Sequence, residues 1–390
     1  MKQIVSYELR KLFRNRLILF MLMLFSILNI CHIFTDYQKY AAKEESYRSG
    51  YFAVYDAVSG PWDNDKIRYV IREYEKAKAV VDSGNYSTEP DQAGTHTGYV
   101  FGDYGLFEQI RNDMEKLWHY DSRMAALTEK AADNVAFYDQ KGNRQQAKLN
   151  QKIAETYQNR KVTAFYDTWG LERYLKYDFS TLLILLLLIP MLSPLFSREH
   201  ETGMHGLLQL TQNYRKLASA KMLAGITAVV LVSLLFFTED FLAFRYLYHI
   251  RGLSQSVYTL PDFYDSPLSV SIRSYILINA ALKTLCILVI GSICTAVSAA
   301  VKKEIIPFCA ASAAALILLL TDAFLENPVL SVINPVTLFS CGKLFQDFQA
   351  VFVFGTPVYA FWLPVASAVL EWFLFAAMTV SAGRIRAHQR

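Results

Sequence analysis

Six stretches of this chain are apolar for long enough to cross a bilayer, which limits the possible folds more than any motif does. An α-helix rises about 1.5 Å per residue, so roughly 20 apolar residues span a hydrocarbon core of about 30 Å. The stretches are residues 17–34 (LILFMLMLFSILNICHIF), 179–196 (FSTLLILLLLIPMLSPLF), 217–238, 275–301, 305–325 and 359–383. A composition of 53% hydrophobic and 14% aromatic residues over 390 positions agrees with a polytopic, all-α membrane protein. Pro190 and Pro194 are expected to kink or end the second span. Only KKE separates the fourth span from the fifth, which predicts a tight helical hairpin.

A basic lead, MKQIVSYELRKLFRNR, precedes the first span, and TDYQKY after it holds no small-x-small cleavage site. The span is therefore read as a retained anchor rather than a signal peptide. Within residues 1–16, Val5, Leu9, Leu12 and Phe13 recur at helical spacing, which predicts an interfacial helix. Basic residues cluster in this lead, at Arg198, Arg215, Lys216 and Lys221 after span two, at Lys302 and Lys303 after span four, and at Arg384, Arg386 and Arg390 in the tail 384–390. With six spans all four clusters fall on one side, which the positive-inside rule makes cytoplasmic. Both termini are thus expected in the cytoplasm.

The opposite side receives residues 35–178, a polar, tyrosine-rich segment of nearly balanced charge. Long runs of helix formers predict a mostly helical extracytoplasmic domain, with VDSGNYSTEPDQAGTHTG as an exposed loop. The formal net charge of +4 resides in the cytoplasmic clusters, so nothing here attracts nucleic acid. All five cysteines lie in or near the membrane region, which leaves the domain without a disulfide framework and fits a bacterial cell membrane. A bridge between Cys31 and Cys341 is the one pairing considered.

Motifs for chemistry are missing. SREHETGMHGLLQL resembles a zinc-protease helix, but His200 and His205 stand five residues apart, about 500° around a helix, and cannot share one ion. His96 and His119 read as surface or packing histidines. No phosphate loop, nucleophile elbow or cysteine cluster occurs, and CGKLF around Lys343 lacks the glycine and hydroxyl of a nucleotide site. The chain is therefore expected to be no enzyme, with no catalytic, metal or cofactor residues of its own. Charges within spans are costly and draw attention to Lys283 and Glu371, which either line a pathway or pair across the bundle. Glu239, Asp240 and Asp322 are expected near wet outer ends.

The membrane core resembles the permease subunits of type-2 ABC exporters, over about 240 residues. The resemblance rests on the basic helix ELRKLFRNR and on the loop after span two. There the family places an acidic residue, a glycine, leucines, an arginine and then a lysine at the foot of the next span. Here these are Glu199 and Glu201, Gly203, Leu207 and Leu208, Arg215, and Lys221. The long insertion between the first two spans resembles members from Gram-positive bacteria. The resemblance implies that residues 197–216 form a coupling helix seated on a separate cytoplasmic ATPase that binds ATP and magnesium. It also implies pairing with a second or related permease, and outward movement of a peptide, antimicrobial, lipid or ion. Residues 326–358, apolar yet broken by Pro328, Pro335 and Pro357, are expected to be either a re-entrant pair or an apolar lid packed on the external domain. The alternative function is a membrane-anchored sensor or surface-binding protein acting through that domain.

Overall fold

The computed structural model describes residues 1–41, 45–84, 94–204, 214–325 and 327–388. The chain is mostly helical, and among the described residues six stretches are long and apolar enough to cross a membrane. They are α2 (Arg16–Ala41); α8 (Trp169–Leu175), α9 (Phe179–Leu192) and α10 (Pro194–Glu201) taken together; α11 (Tyr214–Tyr248); α12 (Ile272–Ala300); α13 (Ile305–Phe324); and α16 (Trp362–His388). The second stretch is central, with 72% of its most apolar part buried against 17% for the first, fifth and sixth. Its leucine run explains this, because a helix apolar on every face can be enclosed on every face. The amphipathic α1 (Lys2–Phe13) lies along α11 and sets Leu12 into the bundle core.

Between α2 and α8 the chain builds a helical unit from α3 (Glu45–Val58), α4 (Asn64–Ser83), α5 (Val100–Trp118), α6 (Tyr120–Gln140) and α7 (Arg144–Tyr157). Local signals set the ends of these helices. Asp63 caps α4 by accepting from the Asp65 N–H at 2.9 Å, and Gly84 ends it at φ 67° in the left-handed region. Asn143 caps α7 through the Gln146 N–H. The antiparallel pairs α4–α5 and α6–α7 enclose a core that includes Val70, Phe107, Ile110 and Met124. Of the turn-rich loop, residues 85–93 lie outside the described residues. Its end is pinned, with Asp103 accepting from the N–H groups of His96 and Thr97 and from the Thr97 hydroxyl.

Three features depart from the sequence expectations. The third span continues past Thr238 to Tyr248, so its acidic pair lies inside a helix. The fold is not purely α: β1 (Gly60–Pro61) pairs with β2 (Ala164–Phe165), and β3 (Ala350–Val353) with β4 (Thr356–Tyr359), both antiparallel. Residues 327–358 contact both the spans and the helical unit. The short α14 (Pro328–Ile333), the turn at Pro335–Leu338 and α15 (Cys341–Phe345) lie against the spans, where Asn334 donates to the Leu318 carbonyl at 2.8 Å. The β3–β4 hairpin packs on α7, through the Thr156–Tyr359 hydroxyl pair at 2.8 Å and Lys148 Nζ to the Gly355 carbonyl.

The connection from α11 to α12, unassigned from sequence, belongs to the helical unit. Arg160 is buried and donates through Nη1 to the Ser266 carbonyl at 2.7 Å and to the Tyr120 hydroxyl at 3.2 Å. Its guanidinium also sits over the rings of Tyr157 and Tyr258. The hydroxyls of Tyr157 and Tyr120 donate to the carbonyls of Asp265 and Tyr264. Removing a buried charged donor leaves several acceptors orphaned. Arg160→Met is expected to cost about 2–3 kcal/mol, read as a lower unfolding temperature by tryptophan fluorescence in detergent.

Asp167, just before α8, accepts from the Tyr51 hydroxyl at 2.9 Å and the Trp169 N–H at 3.0 Å. Burial nevertheless pushes its carboxyl up to about 6. A folded-state value above the unfolded one means that this group favours folding fully below about pH 4, and that the benefit is lost as pH rises through about 6. Asp167→Asn keeps an acceptor without the charge. Relative to the native chain it is expected to gain stability between pH 4 and 7, approaching a ceiling of about 3 kcal/mol, read from paired unfolding curves across that range.

Candidate functional site

The second span breaks between α9 and α10, and the break organises what lies beneath it. Pro194 ends the α9 hydrogen-bond ladder, and the new helix opens with free N–H groups at Phe196 and Ser197. Both donate to Ser298 Oγ of α12 at 3.1 Å, and the Ser298 hydroxyl donates back to the Ser193 carbonyl at 2.6 Å. Ser298 from a neighbouring span, together with the Ser197 hydroxyl that donates to the same Ser193 carbonyl at 2.9 Å, thus satisfies the break, as a low-dielectric interior requires.

Below the break, α10 is held by charge. Lys221 of α11 is 1% exposed, ion-pairs with Glu199 at 2.5 Å and donates to the Leu195 carbonyl at 2.8 Å. Lys11 of α1 approaches Glu199 at 3.7 Å and the buried Glu8 at 3.8 Å. Arg198 meets Glu304, at the start of α13, at 3.6 Å, and Glu201 accepts the Glu304 backbone N–H at 3.1 Å. Gly203 follows at φ 74°, with no atom within 4 Å of where a Cβ would sit. The structure therefore brings Glu199 and Lys221 together and places Glu201 beside the turn before α13. Leu207, Leu208 and His205 lie outside the described residues, as does the side chain of Arg215. A displacement of α10 would be felt at once by α1, α11 and α13, because each is tied to it by a charged contact.

A second polar centre lies at the other end of the bundle. Lys283 of α12 ion-pairs with Asp178 at 2.7 Å and donates to the Tyr177 carbonyl at 3.0 Å. Asp240 is 3% exposed, accepting from Asn29 Nδ2 of α2 at 2.7 Å and from the Ser180 hydroxyl at 2.5 Å, while the Tyr177 hydroxyl donates to Asn29 Oδ1. The expectation of a wet Asp240 is corrected, since the longer α11 carries it into the protein interior. Asp322 accepts from the Thr337 hydroxyl. Lys283 pairs across the bundle, whereas the hydrogen bond at Glu371 comes from Ser367 on its own helix. Ser298, Asp178 and Asn29 were missed from sequence; Asn29 had a signal, as the one amide within the first apolar run.

Among the described residues no group of three or more histidine, cysteine or carboxylate side chains is placed to hold a metal ion. Cys31 is exposed and Cys341 buried, and both thiols are free. His96 packs against Tyr69 and Phe107. No known protein family, curated relative or solved structure matches this chain.

Breaking a buried ion pair from one side leaves an uncompensated charge and costs about 3–5 kcal/mol, whereas removing both partners costs much less. Lys221→Met is expected to destabilise the protein by about 3 kcal/mol, with most of the loss recovered in the Lys221→Met/Glu199→Gln double variant. Thermal unfolding of the four-member cycle checks this, and purely additive losses would show that the pair is not coupled.

Proposed function

We propose that this chain is the permease subunit of a type-2 ABC exporter in a bacterial cell membrane, with both termini and α10 facing the cytoplasm and the helical unit outside. On this reading the chain binds no nucleotide, and a separate ATPase supplies the work. Two permease chains, identical or related, form one pathway for an outward-moving peptide, antimicrobial, lipid or ion.

The observation that carries the reading is the arm formed by α10. It hangs from a break in the central span and is tied by Glu199 to Lys221 at the foot of the third span. Closure of two ATPase subunits is a rigid-body motion, and a short arm pinned to several spans turns such motion into tilting of a bundle. Glu201 is exposed near the tip, where a partner would reach it, and residues 205–216 follow. In this reading Glu201, Leu207, Leu208 and Arg215 make the contact, while Glu199 and Lys221 transmit it. A fixed helical unit tied to the spans favours the second reading, a sensor that acts through that unit.

The test is affinity purification of the tagged chain from its own membranes in mild detergent, with co-purifying chains identified and assayed for ATP hydrolysis. An ATPase is expected, and Glu201→Arg with Arg215→Glu is expected to reduce its recovery at least about tenfold, equivalent to about 1.4 kcal/mol, at an unchanged unfolding temperature. Absence of any nucleotide-binding chain would transfer the assignment to the sensor reading.

A further inference from the structure

The helical unit carries a cavity that the transport reading does not use. It is a groove of about 360 Å³ between α4 and α5, floored by Ile67, Val70 and Met114 and flanked by Ile71 and Trp118, with Arg111 at one end. This volume lies within the range of about 300–1,000 Å³ typical of small-ligand sites. Ile71 and Trp118 are 40% and 49% exposed, so apolar surface stands open to whatever fills the groove.

Arg111 is the informative residue. Its guanidinium stacks on the Tyr74 ring at 4.0 Å, and Nη2 donates to Asn112 Oδ1 at 3.0 Å. Its Nε is buried and has no acceptor. Among the described residues no carboxylate forms an ion pair with it; Glu115, one turn further along α5, is exposed on the rim. The buried Nε is out of a ligand's reach, but the terminal N–H groups are not, and Nη1 has no protein acceptor among the described residues, which leaves a planar cation that matches a carboxylate. The stack on Tyr74 holds the cation in place before any ligand arrives.

Along α5, Arg111 and Trp118 are seven residues apart, which sets the groove length at about 10 Å. Between them the lining is hydrocarbon apart from Glu115, whose exposed carboxylate stands on the rim. A peptide main chain lying there would bury amide groups with few partners, since Asn64 and His119 lie at the Trp118 end. We infer that the α4–α5 groove binds a small amphipathic monocarboxylate, with its carboxylate on Arg111 and an apolar body of about 10 Å running over Ile67, Val70 and Met114 to Trp118. The inference is independent of the exporter reading and holds whether or not an ATPase partner exists.

The test uses the full-length protein in nanodiscs of zwitterionic lipid and the probe 4-(4-fluorophenyl)butyrate, followed by 19F NMR line broadening, with empty nanodiscs as the partition control. Saturable binding above that control is expected. The neutral primary amide of the probe is expected to bind at least about tenfold more weakly, as loss of a charge-assisted contact requires. Arg111→Met should weaken the carboxylate by a similar factor, and Ile71→Trp, which fills the groove from a half-exposed position, should abolish binding. The amide and Ile71→Trp arms keep the test decisive if Arg111→Met proves unstable. Equal binding of carboxylate and amide, undiminished binding to Ile71→Trp, or no binding beyond the lipid control would overturn the inference. So would saturable binding of an N-acetyl dipeptide amide without binding of the carboxylate.

Discussion

The Ser298 hydroxyl holds the centre of this molecule together. The second span is the most enclosed helix, and it is interrupted at Ser193–Pro194 within an interior where water does not satisfy freed backbone groups. Ser298 accepts two N–H groups from below the break and donates to a carbonyl above it. Ser193 keeps right-handed helical dihedrals, so α10 follows on from α9 while packing on α12. The charged contacts of α10 at the foot of the bundle, with Lys11, Lys221 and Glu304, lie within two turns of this break.

Among the described residues the structure is a series of three cores rather than one. The first lies between the spans, the second gathers Tyr37, Phe244, Tyr248, Phe263 and Tyr275 at the junction, and the third fills the helical unit. Aromatic side chains dominate the junction because they cover much apolar area while offering a hydroxyl to the polar layer above. Tyr248 shows this, stacking on Phe244 while its hydroxyl donates to Asp36, which is also paired with Arg173. The 249–271 connection and the β3–β4 hairpin then reach upward from the spans to α6 and α7. The unit is thereby attached to the third, fourth and sixth spans as well as to the two spans on either side of it in the chain.

What was legible in the sequence followed from local physics. Apolar runs located the spans and the spacing of Val5, Leu9 and Leu12 located α1; of the two prolines expected to kink or end the second span, Pro194 stands at the α9–α10 boundary while Pro190 lies within α9. Lys283 announced itself as a charge in a helix that could not tolerate an unpaired one. The remainder depended on long-range pairing that no local pattern encodes. Asp240 looked like a span terminus because FFTEDF interrupts the hydrophobicity, yet Asn29 and Ser180, far away in the chain, supply the donors that let the helix continue. Ser298 sits in TAVSAA, where nothing distinguishes a structural hydroxyl from a small packing residue. The groove on α4 and α5 was equally hidden, since Arg111 reads as one more surface charge until its lack of a carboxylate partner among the described residues is seen.

The two buried lysines suggest how such a bundle would move as a unit. Lys221 joins the second and third spans below, through Glu199, and Lys283 joins the second and fourth above, through Asp178. Separating the enclosed Lys221–Glu199 pair would leave charge in low dielectric at a cost of several kcal/mol, and separating Lys283 from the partly exposed Asp178 would strand a buried lysine. Small rotations that preserve both pairs avoid that cost. A tilt of α10 therefore carries the foot of the third span with it, while the Lys283 clamp keeps the upper ends of the second and fourth spans in register. The break at Pro194 is bridged by the hydroxyls of Ser197 and Ser298, which both donate to the Ser193 carbonyl, rather than by an ion pair.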